Sequence, residues 1–247
     1  MDTNRRIAVV AGVAFLIGTI AQIVGVALVS PILGAPDYLA EISANEDRVL
    51  FGALFQFIGG VACTGIALAL YPVLRMHNHG LAMGSVGFRT IEGVFHGLIA
   101  VCWLLLVTLS QEAAKAAAPG SSAYAVPGAL LQAGPDWLAP LGLLVFGLGA
   151  LCYYWVFYQS RLIPRWLSAW GLVAIVMAMV SGLLMMLGLI DGFSTPQLVL
   201  AFPILVQEMV LAVWLITKGF NASAVASAPA TAAAPAIETS LAGAGAL

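Results

Sequence analysis

The chain reads as an all-α integral membrane bundle of six transmembrane helices. Three observations carry that expectation. The 247 residues are 62% hydrophobic and only 8% charged, with a mean hydropathy of +1.04, so lipid must solvate most of the surface. Six apolar segments are each long enough to cross a bilayer core, which takes about 20 residues of helix. The breaks between them hold most of the charges and half of the prolines.

The first span runs from Ile7 to about Ser30. Arg5-Arg6 before it resembles the start of a secretory signal, but the apolar run exceeds the roughly 7–15 residues of such a segment, and a retained helix is expected. Ala11, Gly18 and Gly25 recur at heptad spacing and offer a seam for close helix contact. Pro31 to Asp47 carries Asp37, Glu41, Glu46 and Asp47, as expected of a water-exposed loop with a short surface helix.

The second span covers about 49–74 and the third 81–110, joined by a turn containing His77 and His79. Residues 111–134 are rich in Ala, Gly, Ser and Pro and are expected to form a loop of little fixed structure. The fourth, fifth and sixth spans are placed at about 137–158, 166–190 and 196–217. Ala178 and Gly182 form a small-xxx-small pair in the fifth, and Pro203 is expected to bend the sixth. Residues 220–247 are Ala/Ser/Pro-rich and read as a disordered tail.

Lys and Arg are unevenly shared between the two ends. Arg5, Arg6, Arg75, Arg161, Arg165 and Lys218 fall on one side, and only Arg48 and Lys115 on the other. The bias predicts cytoplasmic amino and carboxyl termini in a cell membrane.

Several residue patterns are familiar when taken in order. They are Arg6-Ile7-Ala8, Ala44-Asn45-Glu46 with Phe51, Phe88-Arg89 and Glu92-Gly93, the stretch Tyr158 to Arg165, and Glu208 with Trp214 to Gly219. Together they resemble the bacterial six-helix membrane family known as domain of unknown function 4386, over about Arg5 to Gly219. The resemblance implies a six-helix membrane protein with no assigned activity. That family often carries an acidic residue and His-Gly entering the fourth helix; here Asp136 is followed by Trp137-Leu138.

Chemistry concentrates in the third span. At about 100° per residue, Ser85, Arg89, Glu92 and His96 form one polar stripe. Each charge at bilayer depth costs about 2.5–3.5 kcal/mol on insertion scales, so the stripe needs partners inside the bundle. Counting about 1.5 Å per residue puts Glu208 of the sixth span level with Arg89 and Glu92, with Gln22 and Gln56 near His96.

Two readings of that cluster stand side by side. In one, Arg89 bridges Glu92 within its helix and Glu208 across the bundle, and the network is structural. In the other, Arg89, Glu92, His96, Glu208, Gln56 and Gln22 line a site for a small molecule or an ion. An intramembrane enzyme using a glutamate with His96 is a further alternative, though no catalytic motif is present. No metal or other cofactor is expected. Glu92 and His96 share a face but make only two ligands, while Cys63, Cys102 and Cys152 read as small apolar residues. The bilayer is the expected partner; a net charge of −2 without a basic cluster argues against nucleic acid.

Overall fold

The computed structural model describes residues 2–116 and 122–226. The described residues contain helices and no strand. The helices are α1 (Thr3–Leu33), α2 (Tyr38–Ala44), α3 (Glu46–Leu74), α4 (His79–Lys115), α5 (Ser122–Ser160), α6 (Arg165–Met186), α7 (Thr195–Thr217) and α8 (Ala222–Ala226). All except α2 and α8 are long and apolar enough to cross a membrane.

The six long helices close into a ring. Each packs on its neighbours in the chain, and α7 returns to pack on α1. Small residues permit these contacts. A Cβ at Gly12 would lie 2.7 Å from the carbonyl oxygen of Ala212, so α1 and α7 meet backbone to backbone. Ala11, Gly18 and Gly25 are all buried, whereas Val10, Ile17 and Ile20 of the same helix are about half exposed. Large apolar residues on the outside and small ones inside suit a bundle whose solvent is hydrocarbon. Arg5 fastens the closure: its guanidinium donates to the carbonyl oxygens of Leu215, Ile216 and Thr217 at the end of α7.

Three expectations need correcting. The expected loop at 111–134 is mostly helix, since α4 continues to Lys115 and α5 already starts at Ser122 rather than near Trp137. Alanine is the commonest residue of this stretch and favours helix, and tertiary contacts hold it. Gln132 donates from Nε2 to the Leu33 carbonyl at 2.7 Å, and Leu131 packs against the apolar cluster that includes Ile42 and Trp103. Pro127, Pro135 and Pro140 lie inside α5, each without a backbone N–H to donate. The fifth span stops at Met186 instead of Ile190, followed by Gly188 at φ +65, a conformation that glycine adopts without steric cost.

The third correction concerns the tail. Its first residues, Ala222–Ala226, form α8, with Asn221 Oδ1 accepting from the Ser223 amide and Ala224 buried in the core. Residues 227–247 lie outside the described residues. Pro203 sits inside a continuous α7, and its missing N–H leaves the Val199 carbonyl without its helical donor.

Candidate functional site

At mid-height side chains do not fill the ring to its axis. They leave a cavity of about 330 Å³ to which all six long helices contribute. The cavity follows α7 from Glu208 to Gln197, about 16 Å along the axis. It ends at the α6–α7 loop, beside Gly192 and Phe193, away from the end that holds both described termini. Its walls are largely apolar, with Phe15, Ile66, Phe95 and Phe146 among them.

The sequence-predicted residues converge here. Arg89, Glu92, His96, Glu208, Gln56 and Gln22 all line the cavity. Ser85, of the same helical stripe, is fully buried and does not line it; its hydroxyl has no hydrogen-bond partner.

Contact between α3 and α4 sets the geometry. A Cβ on Gly60 would lie 2.8 Å from the Gly93 carbonyl oxygen, and one on Gly93 would lie 2.7 Å from that of Gly60. The two backbones therefore touch, with Glu92 and His96 on one side of the contact and Gln56 and Cys63 on the other. Gly149 of α5 makes room for the arginine, since a Cβ there would be 3.0 Å from Arg89 Cγ.

Arg89 is 2% exposed and is held from several directions. Its Nη1 is 3.0 Å from Glu92 Oε2, its Nε donates to the Cys63 carbonyl at 3.4 Å, and its guanidinium lies over the Phe146 ring at 4.9 Å. One corner of the expected network is absent. Arg89 makes no ion pair with Glu208; instead Glu208 Oε1 accepts from the Tyr153 hydroxyl at 3.1 Å. The pairing follows from spacing, because Glu92 is one turn along the same helix and reaches Arg89 without crossing the cavity. Among the described residues no cation lies within 4.0 Å of Glu208.

His96 sits between two side chains. The Gln56 amide nitrogen is 2.9 Å from its Nδ1, and its Nε2 is 3.9 Å from Glu92 Oε1. Gln56 Oε1 is buried without a partner. Gln22 Nε2 donates to Cys63 Sγ at 3.4 Å.

Three contributors escaped the sequence reading. Cys63 brings a thiol to the wall, so that Cys63, Glu92 and His96 present donor atoms within 4.8 Å of one another. Phe146 supplies a ring to the arginine, and Tyr153 a hydroxyl to Glu208. A cysteine or aromatic residue in an apolar span carries no periodic signal of its own. Their role depends on which helices become neighbours.

Against known proteins, the model of the family described as a domain of unknown function, DUF4386, matches residues 10–219. The chain belongs to that family. The match runs through all six long helices, so every DUF4386 residue of the cavity named above lies within it. No curated protein and no solved structure matches the chain.

Proposed function

We propose that this DUF4386 protein binds a small molecule or ion in the central cavity, as a carrier or as the binding subunit of an uptake system. The observation that carries the reading is Glu208. It lines the cavity, its carboxylate accepts from the Tyr153 hydroxyl, and the nearby arginine is already paired with Glu92. A carboxylate at bilayer depth without a cation calls for a proton or a positively charged ligand. The surrounding walls suit an apolar body whose cationic or hydrogen-bond-donating head meets Glu208.

An ion pair confined to one helix also favours this reading over a purely structural role. The Arg89–Glu92 pair lies within one helix, so the ion pair itself does not cross the bundle, although Arg89 also meets the Cys63 carbonyl and the Phe146 ring. The test is mass spectrometry of small molecules retained by detergent-purified protein. Wild type is expected to retain a molecule that Glu208→Gln loses while unfolding at a similar temperature. Equal retention by the folded variant would refute the assignment.

We place the protein in a bacterial cell membrane with both termini cytoplasmic, on the strength of the Lys/Arg bias. With Cys102→Ala and Cys152→Ala as background, Ser223→Cys should react with an impermeant thiol reagent only from the cytoplasmic side. Ser194→Cys should react only from the other; the reverse pattern rejects the orientation.

A further inference from the structure

We propose that Cys63, Glu92 and His96 bind one divalent transition-metal ion of the zinc class, with an open coordination position facing the cavity. The inference deepens the reading of the cavity as a binding site and rests on it.

The donor set decides the class of ion. A thiolate, an imidazole and a carboxylate together suit zinc and its neighbours, whereas magnesium and calcium take oxygen ligands. Three protein donors leave a fourth tetrahedral position free, and all three residues line the cavity from which a water or ligand would fill it. Metal–ligand bonds of about 2.0–2.3 Å require neighbouring donors roughly 3.5 Å apart. The donor atoms already lie within 4.8 Å of one another, so side-chain rotations of about 1 Å close the site. The Gly60–Gly93 contact holds the two contributing helices together there.

Each donor has a partner that orients it from outside. Gln22 donates to Cys63 Sγ, Arg89 pairs with Glu92, and Gln56 meets His96 Nδ1. Such outer contacts fix ring tautomer and ligand direction at metal sites. The unpartnered Gln56 Oε1 is informative here. A half-turn of that amide lets Oε1 accept a hydrogen bond from His96 Nδ1–H, the tautomer that leaves a lone pair on Nε2, the nitrogen that faces Glu92. Glu92 is also short of donors, since its Oε1 accepts from Arg89 Nη1 while its Oε2, 3.0 Å from the same nitrogen, is buried without a hydrogen-bond partner.

Charge permits the assignment: with the Cys63 thiol deprotonated, Cys63 and Glu92 bring two negative charges to one divalent ion. Binding forms metal–sulfur, metal–nitrogen and metal–oxygen bonds and releases the thiol proton to solvent, with no change of oxidation state.

The experiment uses the full chain in detergent, treated with chelator and titrated with Co²⁺. Expected is one ion per chain, with a thiolate-to-cobalt absorption band in the near ultraviolet. Cys63→Ala should abolish that band, His96→Ala should weaken cobalt binding by at least about tenfold, and Cys102→Ala should change neither. Far-ultraviolet circular dichroism and elution volume confirm that each variant is folded. Folded wild type without the band, or an undiminished band in Cys63→Ala, overturns the metal site. If cobalt is not bound but a molecule sensitive to Glu208→Gln is still retained, the metal fails and the cavity reading survives. If neither is bound, both fail.

Discussion

Arg89 costs the fold a buried charge, and Glu92 makes that charge tolerable. Both are nearly inaccessible, at 2% and 4% exposure. Removing one partner strands the other in an apolar surround, so Arg89→Met should destabilise the protein by about 3–5 kcal/mol. Adding Glu92→Gln should recover most of that loss, because the stranded carboxylate is neutralised. Thermal unfolding of both variants in detergent checks this; equal loss in the single and double variants would show that Glu92 is not the partner that matters. The stripe of Arg89, Glu92 and His96 was legible in the sequence because helical spacing alone sets it. That Glu208 goes to Tyr153 rather than Arg89 was not, because it depends on distances across the bundle.

At the scale of the helix pair, α3 and α4 position the site through the Gly60–Gly93 contact. A side chain there cannot be accommodated by a rotamer change, because the obstacle is backbone. Gly93→Leu should destabilise by about 1–3 kcal/mol and weaken whatever the cavity binds, whereas Gly97→Leu, at an open position, should do neither. Paired unfolding and retention measurements separate the two outcomes. The C-terminal end of α7 offers a second case. Arg5→Gln removes a cation from three carbonyl oxygens, and a loss of about 1–2 kcal/mol is expected. Hydrogen exchange should report it as faster exchange confined to the last turn of α7 and to α8. Arg5 was legible only as part of the positive bias at one end, since its partners lie more than two hundred residues away.

For the whole molecule, closure of the ring is what creates the cavity. Six helices in an open row could not all line one cavity, whereas the return of α7 to α1 lets each of them supply a wall. Closure is directly testable. With Cys102→Ala and Cys152→Ala as background, Ala8→Cys combined with Gly219→Cys should cross-link on mild oxidation and migrate faster on a non-reducing gel. A Cβ built at Gly219, just past α7, lies 3.8 Å from the Ala8 Cβ, a separation a disulfide spans, so absence of the cross-link in folded protein would refute the α1–α7 closure.

Sequence by itself determined the class of this protein, because hydropathy, span length and the small-residue seams are local and cumulative properties. It also located the polar stripe, since a charge in an apolar helix is conspicuous wherever the helix goes. Tertiary structure decided the rest. Helix order around the ring brought Cys63, Tyr153 and Phe146 to the cavity, and packing against α2 and α1 turned an apparent loop into the first turns of α5. Those outcomes depend on contacts between residues far apart in the chain, which no local pattern encodes. Glu208 belongs to both accounts: its depth came from counting residues, and its lack of a cation came from the fold.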